Sequence, residues 1–308
     1  MTLSRFSHEA LFYDGARDYV SRTANFVRDG LMNDEPVLVM VPPEKIDALS
    51  EHLGPDAFRV EFVDMTEAGR NPGRIISHWG DFAAHHSGRP ARGVGEPIWA
   101  DRSDDELVEC QHHESLLNIA FEDAAGFRLV CPYDTETLPA TVIAEARRTH
   151  PRILDGGEPR PSGDYAPERA HEHHHARLAP PHGPAIDIEF DEVTLGVLRH
   201  FIRDYARQAG LPDVRADDMM LAANEVATNS VRHGGGHGVA RLWEVNGGIV
   251  CEVRDRGVIQ DPVTGRVRPE VGPNGGQGIW LAHQLCDLVQ IRSTRRGTVV
   301  RLHMLRRV

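Results

Sequence analysis

Lysine is almost missing from this 308-residue chain: Lys45 is the only one, and arginine supplies nearly all of the positive charge. Lys and Arg total 34 against 46 Asp and Glu, a formal net charge of −12, so the basic footprint of a nucleic-acid groove is absent. No apolar run approaches the length that spans a bilayer, and the opening MTLSRFSHEALF has no signal-peptide core. The four cysteines, Cys110, Cys131, Cys251 and Cys286, show no paired spacing, as expected of a reduced, cytoplasmic protein. A phosphate loop of the G-x-x-x-x-G-K-[ST] kind is also missing, and Lys45 stands outside any glycine context. That excludes an ATP site of that class. What is present supports packed cores, with 40% hydrophobic residues, and the length favours two domains.

From Glu9 onward, strand-length apolar runs alternate with helix-length amphipathic segments. PVLVMV at 36–41 is an uninterrupted apolar run, the mark of a strand covered on both faces. Helices are expected over 16–31, 43–53, 72–86, 104–121 and 139–149, with strands at 9–13, 59–64, 93–99 and 127–131. This rhythm predicts a mostly parallel sheet flanked by helices. Polar stretches GRNPGRI (69–75), RGVGEPIW (92–99), ECQHHE (109–114) and CPYD (131–134) fall near the ends of these elements, where ligand crevices form in open α/β sheets.

Those stretches, together with FYDGARDYV, EPVLVMVPPEK and ELVECQHHESLLNIAF, resemble the MEDS domain, the sensory domain of methanogen, methylotroph and DcmR proteins. The resemblance covers roughly residues 6 to 152. It implies a signal-input module with a RecA/KaiC-like α/β fold lacking a phosphate loop, whose ligands are small organic molecules. Within it, Cys110, His113 and Glu114 share one helical face at i, i+3 and i+4, and Cys131 sits at a strand end. These four form a candidate sensory site, since two thiols and an imidazole suit zinc or iron. Small core cysteines beside a helix-lining His and Glu are the plainer reading.

Residues 153–184 are rich in Pro, Gly, His and charge without apolar period, and are expected to form an irregular, solvated linker between domains 1–152 and 185–308. Its His171, His173, His174, His175 and His182 can collect Zn²⁺ or Ni²⁺ as a purification tag does.

The C-terminal part is organised around ADDMMLAANEVATNSVRHGGG (216–236). Glu225, Asn229 and His233 are four apart and stack along one helical stripe, while Met219, Met220, Ala223, Val226, Ala227 and Val231 form the opposite, apolar side. Asn-Gly at 246–247 signals a hairpin between strands 238–245 and 249–255. The second strand ends in Asp255-Arg256-Gly257, and Gly275, Gly276 and Gly278 precede a helix. Each suits a Mg²⁺-nucleotide. An amide oxygen on Asn229 can ligate Mg²⁺ without adding charge. A carboxylate at Asp255 can accept the exocyclic amino proton of adenine, and glycines at a helix start bring N–H groups to phosphate. Glu225 can act as general base on an incoming hydroxyl.

In this order the elements resemble the GHKL ATPases, and DMMLAANEVATNSVRHGG, DRG, DPVTGR, GGQGIWLAHQLCDLVQIRS and GTVVRL resemble the RsbW-type anti-sigma factor serine kinases over roughly 187 to 308. The resemblance implies a Bergerat-type α/β sandwich in which Glu225 is the catalytic base, Asn229 the Mg²⁺ ligand and Asp255 the adenine contact. Gly257, Gly276 and Gly278 would shape the pocket and Thr298 add a water-mediated adenine contact. ATP and Mg²⁺ are the expected cofactors. A STAS-type anti-sigma antagonist, a sigma factor and a second copy of the chain are the expected partners. The sequence departs from the D-x-G-x-G box at Ile259, which keeps a pseudokinase binding module as the alternative, alongside a metal or redox sensor. Residues 258–274 would form the ATP lid, with Arg266 and Arg268 as its phosphate-reaching charges.

Overall fold

A computed structural model of the chain describes residues 5–155, 158–269 and 277–306. They divide into two compact units at Ala170/His171.

Unit 1 alternates strand and helix: β1 (Ser7–Tyr13), α1 (Gly15–Met32), β2 (Val37–Val41), α2 (Pro43–Leu53), β3 (Val60–Asp64), a single turn α3 (Met65–Ala68), α4 (Ile75–His85), β4 (Ala91–Gly95), α5 (Asp104–Ala120), β5 (Phe127–Asp134) and α6 (Ala140–Thr149). The sheet order is β3-β2-β4-β5-β1-β6-β7, parallel from β3 through β6. The parallel, helix-flanked sheet is the class expected from the sequence. All five residues of β2 are buried, because helices cover both faces. Helix α5 begins with a complete capping box, Ser103 with Glu106, and three acids in its first turn.

The RGVGEP stretch has a packing reason. Gly93 and Gly95 lie on one face of β4, against which the indole of Trp79 from α4 is laid; Trp79 is 1% exposed. A Cβ at Gly95 would stand 2.8 Å from Trp79 Cζ2. Val94, on the other face, belongs to the core formed with Leu11, Val27, Val39 and Val130.

Two further strands extend this sheet where an irregular linker was expected: β6 (Arg152–Asp155), parallel to β1, and β7 (Glu158–Pro161), antiparallel to β6. Helix α7 (Arg169–His175) follows. The linker expectation therefore fails over much of its length. Ile153 and Leu154 are buried, and four-residue strands leave too short an alternation to read.

Unit 2 is an antiparallel sheet, order β11-β12-β10-β9-β8, with helices packed on one face. Its elements are β8 (Ile186–Asp191), α8 (Leu195–Gln208), α9 (Asp213–His233), β9 (His237–Val245), β10 (Gly248–Asp255), α10 (Gln277–Leu285), β11 (Leu288–Thr294) and β12 (Gly297–Leu305). Helix α9 is the spine. Ala216, Met219, Ala223, Val226 and Ala227 are buried against Leu242, Cys251, Val253, Val300 and Leu302 of the sheet. On the opposite face of the sheet Glu252 is fully buried. Arg301 donates to it from Nε and Nη2 at 3.0 and 2.7 Å and Arg254 Nε donates at 2.6 Å. Arg301 Nη2 also reaches Ala179 O at 2.8 Å, which ties the chain before β8 to this face at that point.

Among the described residues no helix is long and apolar enough to cross a membrane. Replacing Gly95 by Ala should destabilise unit 1 by about 1–3 kcal/mol in denaturant unfolding, since the wedged indole cannot retreat. Gly80→Ala, in α4 with nothing within 4 Å of the new methyl, should be neutral or stabilising by about 0.5–1 kcal/mol.

Candidate functional site

The end of β10 faces the end of α9 across a cleft of about 520 Å³, lined by Asn229, His233, Asp255, Gly257, Ile259 and Thr298 among others. Asp255 organises it. One carboxylate oxygen accepts from Ser230 Oγ at 2.6 Å and the other from the Gly257 amide at 2.7 Å. The β10 end is thereby tied to α9, and the turn after it is closed. Thr298 Oγ1 donates to Gly257 O at 2.9 Å and lies 2.8 Å from Ser293 Oγ, which accepts the Ile259 amide at 2.9 Å. Thr298 is thus a member of the loop's hydrogen-bonded frame and also lines the cleft.

Glu225 and Asn229 lie one turn apart on α9, and the first turn of α10 passes directly over them. A Cβ at Gly278 would stand 2.9 Å from Glu225 Oε2 and 3.4 Å from Asn229 Nδ2. A side chain at 278 would crowd Glu225, whose Cβ would lie 3.2 Å from the new Cβ, and would force its carboxylate to shift. Gly275 and Gly276 lie outside the described residues.

Ile259, the departure from the glycine box, packs against the unit's core. Its amide is held by Ser293, and its carbonyl accepts from His174 Nε2 at 3.0 Å. His174 is 2% exposed and His173 is buried as well, so part of the histidine tract is structural, contrary to the solvated reading. Burial lowers the His174 pKa from its ordinary value, with His175, Arg292 and Arg266 acting in the same sense, opposed by the bond to Ile259. The expected role of Arg266 as a phosphate-reaching charge also fails, since its side chain is 1% exposed; Arg268 lies with its guanidinium 5.8 Å from the Trp280 ring. Ser230 was not singled out from the sequence. Its place one residue after Asn229, on the helix side next to Asp255, was the available signal.

In unit 1 the expected set Cys110, His113, Glu114 and Cys131 is only half assembled. Glu114 and Cys131 meet, but their companions are His8 of β1 and His150 after α6, with the four ligand atoms within 4.8 Å of one another. Cys110 turns its thiol to Pro97 O at 3.3 Å, and burial pushes its pKa up to about 12. His113 is buried on α5 outside that group. A 100° step per residue gives the face of a helix but not the strand it meets, so His8 and His150 could not be read from ECQHHE. Elsewhere in the unit, Lys45 pairs with the buried Glu96, which also accepts from Tyr13 Oη at 2.8 Å; burial raises the Glu96 pKa.

A parallel α/β unit followed by an antiparallel sheet with helices on one face, its polar cleft at a strand end, is the build of a two-domain protein with an ATPase-type module. Residues 7–151 match the MEDS family, MEthanogen/methylotroph, DcmR Sensory domain, and residues 188–304 match the histidine kinase-like ATPase domain. The chain joins a MEDS domain to a histidine kinase-like ATPase domain. Among solved structures it is similar to the RsbU and RsbW domains of Rv1364c from Mycobacterium tuberculosis, at 20% identity and a TM-score of 0.31, covering 41% of this chain and 34% of that one. The chain thus spans about a third of that structure's length. No curated protein matches the chain.

Two outcomes follow from the geometry. Ser230→Ala removes the donor to Asp255 and should cost about 1 kcal/mol of unit 2 stability in denaturant unfolding. His174 is held below its ordinary pKa, so the folded state resists its protonation. Its contribution is complete above the ordinary histidine range and is lost as pH falls through it. The stability of His174→Gln, which keeps a donor for Ile259 O, should fall less than wild type between pH 7.5 and 5 in fluorescence-monitored unfolding.

Proposed function

We propose that the chain is a ligand-regulated serine/threonine protein kinase of the anti-sigma factor type. On this reading the MEDS domain receives a small organic signal. The ATPase-type domain binds Mg-ATP, phosphorylates a hydroxyl of a STAS-type antagonist and sequesters a sigma factor. The observation that carries it is the meeting of Glu225, Asn229 and Gly278 beside a cleft whose other wall holds Asp255.

The residues fit the group they would hold. Asn229 offers a neutral amide oxygen, which suits Mg²⁺ when phosphates supply the remaining charge. Asp255 spends one lone pair on each oxygen for Ser230 and Gly257 and keeps others for the adenine amino group. The missing side chain at Gly278 lets the start of α10 close over Glu225 and Asn229. When bound, Mg-ATP supplies the transferable phosphoryl group. Glu225 accepts the proton of the attacking hydroxyl, and the frame of Asp255, Gly257 and Thr298 orients the base.

Ile259 favours one second reading, a nucleotide-binding pseudokinase that captures partners without transfer, because it puts a branched residue in the cleft lining where the glycine box has no side chain. Labelled ATP, Mg²⁺ and a STAS-type protein distinguish the two. Under the kinase reading, wild type transfers label, Glu225→Ala loses transfer by at least about 100-fold while retaining ATP binding, and Asn229→Ala loses both. Binding without transfer to any antagonist would support the pseudokinase. No ATP binding by wild type would overturn both.

A further inference from the structure

Four buried side chains from four separate elements converge in unit 1, on the face of the sheet covered by α5 and α6. They are His8 (1% exposed), Glu114 (0%), Cys131 (2%) and His150 (0%). His8 Nε2 lies 3.1 Å from Glu114 Oε2 and 3.4 Å from Cys131 Sγ, and His150 Nε2 lies 3.2 Å from the same Glu114 oxygen.

The far sides of both rings are already committed. Asn118 gives its Nδ2 protons to Thr149 O (2.8 Å) and Ser115 O (3.4 Å), so its Oδ1 is the acceptor that faces His8 Nδ1 at 3.1 Å. His150 Nδ1 lies 2.8 Å from Ala146 O, which can only accept. Both rings therefore carry a proton on Nδ1; without a further proton or a cation, each Nε2 turns a lone pair toward the Glu114 carboxylate. Lone pair against lone pair in a dry pocket is repulsive. One proton shared with Glu114 relieves only one ring. His150 Nε2 and Glu114 Oε1 indeed make no hydrogen bond.

We propose that His8, Glu114, Cys131 and His150 form a closed, tetrahedral site for a zinc-class divalent cation. A tetrahedral ion with ligand bonds of about 2.0–2.3 Å sets its N and O ligands about 3.3 Å apart and its N and S ligands about 3.5 Å apart, close to the spacings of these three pairs, and all four atoms lie within 4.8 Å of one another. The donor set of two imidazoles, one thiolate and one carboxylate neutralises a double positive charge, as a fully buried site requires. Binding releases the Cys131 thiol proton to solvent. The Nδ1 bonds to Asn118 and Ala146 are the outer partners that fix the tautomers of metal-bound histidines. With all four positions filled by protein, the ion clamps β1, β5, α5 and the end of α6 and leaves no place for substrate.

The test uses the untagged full-length chain expressed in minimal medium with Co²⁺ in place of Zn²⁺. One tightly held equivalent with a thiolate-to-cobalt absorption band and the strong visible bands of four-coordinate cobalt is expected. The thiolate band should vanish in Cys131→Ala and persist in Cys110→Ala. It should also persist when His171, His175 and His182 are replaced by Ala, which separates the site from the histidine tract. Independently of any variant, X-ray absorption on zinc-loaded wild type should count one sulfur and three nitrogen or oxygen ligands. Wild type without a thiolate band or a sulfur ligand, or a band that survives Cys131→Ala, overturns the proposal.

Discussion

The carboxylate of Asp255 is the joint on which the ATPase-type domain turns. It ends a strand, and its two oxygens reach in opposite senses, one to Ser230 on α9 and one to the amide of Gly257 in its own turn. Charge-assisted bonds of this kind are stronger and shorter than neutral ones, and here they set the distance between the spine helix and the sheet. Asn229 directly precedes Ser230 and Glu225 stands one turn further up the same helix, so their position relative to the cleft is inherited from that joint. The space above Gly234 is spent in the same way, since a Cβ there would lie 2.5 Å from Asp255 Cγ. Helix end and strand end are pressed together, and each Asp255 oxygen gives one of its acceptor sites to holding them.

The MEDS domain solves a different problem. Its parallel sheet is buried on both faces, so every polar side chain on the inner strands needs a partner inside the protein. Glu9 takes two bonds from Arg128, at 3.1 and 2.9 Å, and Glu96 takes Lys45, the one lysine of the chain, together with Tyr13. These are matched pairs of charge. The group around Glu114 is different, since its neighbours are two imidazoles and a thiol with no fixed positive charge among them. That contrast is why this cluster, and not the ionic pairs, invites a cation.

The histidine-bearing stretch before β8 shows how composition can mislead. Pro, Gly and His without periodicity are the marks of a solvated connection, and part of the stretch is exposed. His174, however, holds the carbonyl of Ile259, and Ala179 receives Arg301 on the back of the sheet. One contact comes from the short helix α7 and the other from irregular chain, and neither partner lies near the segment in sequence. The side chain at 259 packs against the core, so the loop is anchored at this residue through its amide, its carbonyl and its side chain.

Local periodicity was enough to give the alternation of unit 1, the spine helix with its polar stripe, the hairpin at 246–247 and the order of motifs that marks both domains. These depend on residues within a few positions of each other, where chain geometry alone fixes which side chains share a face. Glu225, Asn229 and Asp255 were legible for the same reason, each lying in a short motif. Ser230 as the partner of Asp255, Arg266 as a buried group, and His8 and His150 beside Glu114 were decided only by the tertiary structure. His8 and Cys131 are separated by 123 residues along the chain and are brought together by the parallel pairing of β1 with β5. Register between strands so far apart is set by packing across the whole sheet, and no spacing within either segment records it.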